Sequence, residues 1–223
     1  MEVVLKGEGV SPGIAIGPAL TFRVNAIDVT KRKIKNPDAE VARFHRAVAE
    51  VRVELERLRE QTALAIGERH ADIFKAHLLL LDDVTMREEV VRFAREEKVN
   101  PEYVVNELIG RYAKMLAAVD DPRFRERTQD FVDVGNRILA RMLHADLESL
   151  DKLERPCVIV AHDVPPSDAA KLDRKNAVGI AIDAGGPTSH TAILARAFEI
   201  PAVVGLRFVG SYAMPNDTII VDG

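Results

Sequence analysis

The sequence predicts an α/β domain that is interrupted by an inserted, all-helical domain. Three observations carry this prediction. Residues 3–24 are rich in β-branched side chains and are punctuated by glycine and proline. A long middle region spaces its apolar residues three and four positions apart, which is the period of a helix that faces a core. After Pro156, strand-like apolar runs alternate with helical ones, as in a sheet that is at least partly parallel.

The first segment, VVLKGEGVSPGIAIGPALTFRV, indicates short strands that are joined by turns. Its glycines and prolines interrupt each apolar run after a few residues. These strands have no partner nearby in the sequence. We therefore expect them to join the sheet that the C-terminal part of the chain forms.

A long helix is predicted to begin at Asn36-Pro37, because asparagine caps helix starts and proline is favoured in the first turn. Its apolar residues fall on one stripe, the pattern of a bundle or coiled-coil seam, and Gly67 can end it. The stripe consists of Val41, Phe44, Val48, Val51, Leu55 and Leu58.

Four further helices follow in the predicted order, and helices of this length with short breaks pack as antiparallel neighbours in a bundle. Two of them begin at a repeat of the cap-plus-proline pattern or at a similar break. The predicted helices cover 68–81, 84–97, a segment that begins at Asn100-Pro101, and a segment from Asp121-Pro122 to about Ala145.

The C-terminal region supplies the remaining strands, and their alternation with helices indicates an α/β layer. We therefore predict a discontinuous α/β domain of residues 1–35 plus 147–223 and a helical domain of residues 36–146. The predicted strands are CVIVA, AVGIAID, AVVG and TIIVDG.

Composition narrows the class of protein. Of the 223 residues, 47% are hydrophobic and 30% are charged, which is ordinary for a globular chain. The net charge of −4 gives no reason to expect nucleic acid or a membrane surface as partner. We see neither a signal peptide nor a membrane-spanning run, and Cys157 is the single cysteine. We therefore expect a cytoplasmic location.

The segment AIDAGGPTSHTAILARAF places a histidine at the start of a helix. Gly185 and Gly186 are expected to adopt positive φ and to let the backbone approach a ligand, and Thr188 or Ser189 can cap the helix. His190 then lies in the first turn, where free N–H groups and the helix dipole form an anion site. A neutral imidazole can attack phosphorus there, and the neighbouring hydroxyls, including that of Thr191, can add hydrogen bonds.

The same pattern has two plainer explanations. A histidine beside a helix start is often only a polar cap. The Ser189–His190 pair also suggests hydrolase chemistry, but adjacent residues rarely face each other, and a nucleophile elbow requires a serine between the glycines.

The stretch GGPTSHTAILAR resembles the phosphohistidine signature of the phosphoenolpyruvate-utilising enzymes and fits it at every fixed position, and IPAVVG follows at the family's spacing. The Enzyme I branch of this family has stretches similar to GEGVSPGIAIGPA, IFKAHLLLLDD and DVGNRILARML. The resemblance to this branch covers the chain nearly end to end. The resemblance implies a swivelling phosphohistidine α/β domain with an inserted bundle that binds HPr.

The resemblance also implies a function. His190 would accept phosphate from phosphoenolpyruvate and pass it to a histidine of the carrier HPr, with support from the signature's glycines and hydroxyls and from Arg196. Phosphoenolpyruvate and Mg²⁺ would bind to a C-terminal domain of the same polypeptide. We therefore expect a monomeric N-terminal fragment without its own metal or cofactor, serving sugar transport or nitrogen-linked regulation.

One position departs from the Enzyme I pattern. The resemblance implies a threonine that hydrogen-bonds the active histidine at this position, whereas this chain has Pro165 in the stretch HDVPPSD. Proline has no hydroxyl, so His162 or Ser167 could take over the role. An exposed loop residue is the alternative explanation for His162.

A carrier-binding surface is predicted on the helical domain. Glu68, Asp72, Asp82 and Asp83 would form an acidic face, and His77 matches a family position on the carrier-facing side. A solvated charged face is the alternative for the acidic residues, and a packing role is the alternative for His77.

Two rival functions remain open. The α/β domain could be the swivelling domain of a dikinase or a phosphoenolpyruvate synthase, although no glycine-rich ATP loop precedes it and the helical insertion argues against it. The chain could also be a non-catalytic interaction module with a silent histidine, which the intact signature disfavours.

Overall fold

The computed structural model describes residues 3–23, 27–119, 122–145 and 149–223. The chain forms two compact units, Met1–Asn25 with Glu148–Gly223, and Ala26–Leu147. The first unit contains a sheet with short helices, and the second is helical, so the predicted fold class is confirmed. The elements in chain order are β1 (Glu8–Ser11), β2 (Ile14–Phe22), α1 (Pro37–Ile66), α2 (Glu68–Leu81), α3 (Val84–Arg92), α4 (Pro101–Ala117), α5 (Pro122–Leu143), β3 (Cys157–Ala161), α6 (Pro166–Ala169), β4 (Ala177–Ile182), α7 (His190–Ala197), β5 (Ala202–Val204), α8 (Val209–Tyr212) and β6 (Thr218–Asp222).

The sheet of the α/β unit has six strands in the order β1-β5-β4-β3-β2-β6. Strands β2, β3, β4 and β5 run parallel, and β1 and β6 pair antiparallel at the two edges. The N-terminal strands therefore join the C-terminal sheet, as the sequence predicted. Because β3 and β4 are parallel neighbours, the loops that follow them leave the sheet at the same edge.

The core of this unit lies against the central strands. Strand β3 is buried along its whole length, which explains why its residues form an unbroken apolar run. Ala15, Val158, Val160 and Val221 pack together on one face of the sheet. Cys157 is buried at the start of β3, and burial raises the pKa of its thiol, in keeping with a small core residue.

Helix α1 has 30 residues, and its stripe of apolar residues is buried as predicted. It packs against α2 and α5, and α4 packs against α5. The Asn36 side chain accepts a hydrogen bond from the Ala39 N–H at 3.2 Å, so the predicted N-cap is correct. Gly67, with φ of 95°, ends α1. The predicted break at Asp121-Pro122 falls partly outside the described residues.

The Asn100-Pro101 pair does not act as the sequence predicted. Asn100 is buried, and its side chain makes no cap for α4. Its Oδ1 accepts the Arg32 N–H at 2.8 Å, and its Nδ2 donates to the Thr30 carbonyl at 3.2 Å. The side chain thus holds the chain that leads into α1 against the helical unit.

This contact also explains where the first unit boundary lies. We predicted it after residue 35, whereas the compact units divide at Asn25. The Ile34 N–H donates to the Lys98 carbonyl at 2.9 Å, and Ile34 packs with Val41 and Ala94. Residues 27–35 therefore belong to the helical unit. The second predicted boundary, at 146–147, lies outside the described residues.

The segment that we predicted as one helix over 84–97 has two parts. Helix α3 ends at Arg92, and a π-helical turn covers Phe93–Glu97. Lys98 closes this turn in the left-handed region, with φ of 53°. The wider turn lets Ala94 stay buried while Val99 pairs with Lys33, a pairing that helical periodicity alone cannot indicate.

A buried carboxylate ties several elements of the helical unit together. Glu102 of α4 accepts hydrogen bonds from Arg32 at 2.5 Å and from Arg43 of α1 at 2.6 Å. Burial acts to raise the pKa of Glu102, but the hydrogen bonds from its own backbone N–H, Arg32 and Asn100, together with the charge of Arg43, place that pKa below its ordinary value.

Candidate active site

The candidate active site is built at the end of β4, where the loop 183–189 leads into α7. His190 is the first residue of α7 and is half-buried. The Ser189 Oγ accepts a hydrogen bond from the Ala192 N–H at 3.3 Å, and the Ser189 carbonyl accepts one from Ile193 at 3.0 Å. Of the two predicted capping residues, Ser189 is therefore the cap, and Thr188 is exposed.

The helix start offers donors to an anion. Four N–H groups at the start of a helix have no partner within it. The Ser189 Oγ accepts that of Ala192, and the Gly186 carbonyl accepts that of Ser189 at 3.0 Å, which leaves those of His190 and Thr191 within the part of the chain that the structure describes. Together with the positive end of the helix dipole, these groups can hold a phosphoryl oxygen next to the imidazole.

The two glycines of the loop differ in conformation. Gly185 has φ of +87°, and a Cβ there would lie 3.1 Å from the Ser189 Oγ. Gly186 has no positive φ, and a Cβ there would meet nothing within 4 Å. The expectation of positive φ therefore holds only for Gly185, because one left-handed residue already turns the chain into the cap.

Gly185→Ala should lower the free energy of unfolding by about 1–2 kcal/mol, because alanine is strained at positive φ and its Cβ crowds the capping hydroxyl. Gly186→Ala is the matched control and should change the free energy of unfolding by less than about 0.5 kcal/mol. Denaturant unfolding of the two variants measures the difference. Equal effects of both substitutions would contradict the conformations assigned to this loop.

Two residues of the signature support the loop from α7. The Thr191 hydroxyl is buried and donates to the Val164 carbonyl at 3.2 Å, so it joins α7 to the loop after β3. The Arg196 guanidinium donates to the Pro187 carbonyl at 2.6 Å and to the Val10 carbonyl at 3.2 Å. Both side chains thereby hold the start of α7, and with it His190, in place. The side chain of Thr188, by contrast, is exposed.

The loop after β3 forms the neighbouring wall of the site. The Ala184 N–H donates to the His162 carbonyl at 2.8 Å, which joins the loops after β3 and β4. The His162 side chain is exposed, and its Nδ1 lies 3.8 Å from the Asp183 Oδ2. Pro165 precedes α6 without a capping hydrogen bond, and Ser167 is buried in α6.

Two carboxylates in the loops after β3 and β4 were not predicted from the sequence. Asp183 accepts hydrogen bonds from the N–H groups of Val209 at 2.5 Å and Gly210 at 3.3 Å, so it holds the start of α8. Asp163 is half-buried, and burial raises the pKa of its carboxyl, while the Val164 N–H and the charges of His162 and His190 act to lower it. Asp183 directly follows β4, and Asp163 follows the first loop residue after β3. Both therefore lie at the carboxyl end of a buried strand, a position that could have indicated them from the sequence.

The predicted acidic face lies on α2 and the turn after it. Glu68, Asp72 and Asp82 are exposed, but each has a cationic partner: Arg59 at 3.6 Å, Lys75 at 2.6 Å and Arg52, respectively. The hydrogen bond from Lys75 lowers the pKa of Asp72. Asp83 is half-buried and caps α3 by accepting the Met86 N–H at 2.8 Å. The face is therefore less negative than its sequence suggests.

His77 does not lie on that face, which corrects the prediction that it contacts the carrier. Its side chain is completely buried, with Nε2 3.2 Å from the Asp130 Oδ1 and the ring edge against Phe74. The buried residues of α2 are Ala71, Phe74, His77 and Leu81. The packing role is the one that the structure supports.

Exposed apolar side chains accompany the acidic residues. Leu79 is 72% exposed and lies on the same face of α2 as Glu68 and Asp72, since positions i, i+4 and i+11 align on a helix. Val84 and Leu64 are also exposed nearby in the sequence. Helical periodicity could have shown that Leu79 falls outside the buried stripe.

Within residues 3–23, 27–119, 122–145 and 149–223, no group of three histidine, cysteine, aspartate or glutamate side chains is arranged to hold a metal ion. In the same described residues, no helix combines the length and apolar character that crossing a bilayer requires.

Comparison with known families defines the class of protein. Residues 6–127 match the family described as "PEP-utilising enzyme, N-terminal", and residues 153–223 match the family described as "PEP-utilising enzyme, mobile domain". The chain belongs to the PEP-utilising enzymes.

Individual relatives agree with this assignment. The chain is 39% identical over 222 residues to the phosphoenolpyruvate-protein phosphotransferase of Bacillus sp. (strain S), covering 100% of this chain and 38% of that protein. It is 37% identical to the enzyme of the same name from Bacillus subtilis (strain 168), covering 98% of this chain and 38% of that protein. The chain thus spans about two fifths of the length of these relatives.

Solved structures are also similar. A solution structure of Enzyme I is 38% identical, with a TM-score of 0.75, and the match covers 98% of this chain and 89% of that one. The N-terminal domain of an enzyme called Enzyme 1 - Nitrogen is 25% identical, with a TM-score of 0.65, and the match covers 98% of this chain and 90% of that one. The resemblance to the N-terminal half of Enzyme I is confirmed.

Proposed function

We propose that this chain carries the phosphohistidine of a phosphoenolpyruvate-protein phosphotransferase. His190 accepts a phosphoryl group that originates from phosphoenolpyruvate and passes it to a histidine of the carrier HPr. The single observation that carries the proposal is the position of His190 at the start of α7, where Ser189 caps the helix and leaves two N–H groups for an anion.

The reaction requires a nucleophile and a place for negative charge. The lone pair of a neutral imidazole nitrogen attacks phosphorus, the N–P bond forms, and the bond from phosphorus to its former oxygen or nitrogen breaks. The phosphoryl group carries about −1.5 to −2 charges, which the helix start stabilises. Gly185 sets the turn, and Thr191 and Arg196 keep the first turn of α7 in place.

The partners follow from the same proposal. Phosphoenolpyruvate and Mg²⁺ bind to a C-terminal domain of the polypeptide, and the phosphohistidine domain takes part through His190. The chain alone is a monomer and works in the cytoplasm, where the phosphoryl group feeds sugar transport or nitrogen-linked regulation.

Intact mass spectrometry tests the proposed function. The 223-residue chain should gain one phosphoryl group from phosphorylated HPr, and the modification should be labile in acid and stable in base, as an N–P bond requires. The chain should gain nothing from phosphoenolpyruvate and Mg²⁺ alone. Absence of transfer from phosphorylated HPr would refute the proposal, and transfer from phosphoenolpyruvate alone would relocate the donor site to these residues.

We also propose that HPr docks on the exposed face of α2. This face combines exposed Leu79 with the carboxylates of Glu68 and Asp72, and Asp82 follows at the end of the helix. An apolar centre with a charged rim is the usual arrangement of a protein interface.

Leu79→Asp should lower the apparent affinity for HPr at least about tenfold, because it places a charge at the centre of the interface. Val53→Asp on α1 is the matched control, since Val53 is 65% exposed and the substitution is the same. Transfer rates from phosphorylated HPr at increasing HPr concentration provide the affinity. Equal losses in both variants would mean that the docking face is elsewhere.

A further inference from the structure

The backbone of Asp163 is held close to the first turn of α7, because the two residues that flank Asp163 in the chain are both anchored. The His162 carbonyl accepts the Ala184 N–H at 2.8 Å, which fixes Asp163 against the loop after β4. The Val164 carbonyl accepts the Thr191 hydroxyl at 3.2 Å, which fixes it against the first turn of α7. Val164 and Thr191 are thus directly bonded, and Asp163 and His190 are the residues that precede them in the chain.

The side chain of Asp163 is hydrogen-bonded and partly shielded from water. Its Oδ1 accepts the Val164 N–H at 2.9 Å, and the residue is half-buried. Burial raises the pKa of the carboxyl, while the bond from Val164 and the charges of His162 and His190 act in the opposite direction. A poorly solvated carboxylate of this kind gains most from a positive charge that develops beside it.

We propose that Asp163 is a positioning residue that stabilises the positive charge of the His190 ring during phosphoryl transfer. This inference rests on the proposed function of His190. Pro165, two residues on, has neither a hydroxyl nor an N–H to offer. Asp163 supplies the electrostatic support from the same loop.

The step balances without a proton transfer to Asp163. The neutral His190 ring keeps the proton on one nitrogen while the lone pair of the other forms the N–P bond. The ring then carries a positive charge, which the ionised carboxylate stabilises. When the carrier histidine takes the phosphoryl group, the N–P bond breaks and the electron pair returns to the ring.

Other charged groups around the pair have their own partners. His162 is exposed and lies near Asp183, and Asp183 is bonded to the N–H groups at the start of α8. Helix α6, which packs against α7, contributes the buried Asp168. On α7 itself, Arg196 is bonded to backbone carbonyls.

The test compares Asp163→Asn with the wild-type 223-residue chain. The rate of phosphoryl uptake from phosphorylated HPr should fall about tenfold, the lower end of the loss that follows removal of a partner that orients a metal-bound histidine. Asp163→Glu, which keeps the charge, should restore part of the rate.

Asp222→Asn is the matched control, since it removes an exposed carboxylate from the edge strand β6. It should leave the uptake rate unchanged. An unchanged uptake rate in Asp163→Asn would overturn the inference. So would faster uptake, because it would mean that repulsion of the phosphoryl group dominates.

A reciprocal measurement keeps the inference testable if Asp163→Asn does not fold. In His190→Gln, the pKa of Asp163, followed by ¹³C NMR of its carboxyl, should rise because the cationic neighbour is gone. No change would overturn the inference. Failure of the wild-type chain to accept phosphate would instead refute the proposed function, whereas uptake that is equal in wild type and Asp163→Asn would refute only the role of Asp163.

Discussion

Phosphoryl uptake should disappear when His190 is replaced by alanine, while the free energy of unfolding changes by less than about 1 kcal/mol. The imidazole is the nucleophile in the proposed reaction, and no other group at the start of α7 can form an N–P bond. The side chain is half-buried and is not among the buried residues of α7, so its removal leaves the core intact. Intact mass after incubation with phosphorylated HPr measures the uptake, and thermal unfolding measures the stability.

His162→Ala is the control for this experiment. It removes the same ring from the adjoining loop, and because the His162 side chain is exposed, the variant should still accept a phosphoryl group. If the His190→Ala chain still gained one phosphoryl group, another residue would be the acceptor and the assignment of the site would fail.

The second large effect concerns stability, and Glu102→Gln should lower the free energy of unfolding by about 3 kcal/mol at neutral pH. The substitution keeps the shape of the side chain but removes the charge that Arg32 and Arg43 share, and it turns an amide N–H₂ towards a guanidinium. Hydrogen bonds to a buried charged group contribute about 1.5–3 kcal/mol each, and the partial exposure of both arginines limits the total. Urea unfolding measures the loss.

The same variant makes a prediction about pH. Because the pKa of Glu102 lies below its ordinary value in the folded chain, its contribution is present at neutral pH and is lost as the pH falls through the folded-state pKa. The difference between wild type and Glu102→Gln should therefore shrink below about pH 4.5. Glu107→Gln, an exposed change on the same helix, should have little effect at any pH. A constant difference between wild type and Glu102→Gln across this range would contradict the ionic origin of the effect.

Helix boundaries could be predicted to the extent that they depend on neighbours in the sequence. Asn36-Pro37 and Asn100-Pro101 have the same local pattern, and both are followed by a helix. Only Asn36 caps its helix with its side chain, because residues 30–32 approach Asn100 and take its amide. The sequence contains the pattern but does not indicate which distant backbone groups compete for it.

The residues of the candidate site also divide into those that a local pattern predicts and those that only tertiary contacts bring together. His190, Ser189 and Gly185 act within one turn of each other, so a short motif was enough to predict them. Asp163 lies far away in the chain, and its loop reaches the start of α7 only because β3 and β4 are parallel neighbours in the sheet. The motif therefore indicated the proposed nucleophile but not the carboxylate of the adjoining loop.

The sequence alone determined the fold class, the apolar stripe of α1 and the position of His190 at a helix start, because periodicity, capping and helix polarity are local properties of the chain. Tertiary structure decided which face of α2 is covered: His77 is buried against Asp130, and Leu79 is exposed. Periodicity shows which residues share a face of a helix. Which face is covered, and which polar groups then meet there, depends on contacts between segments that are distant in the sequence.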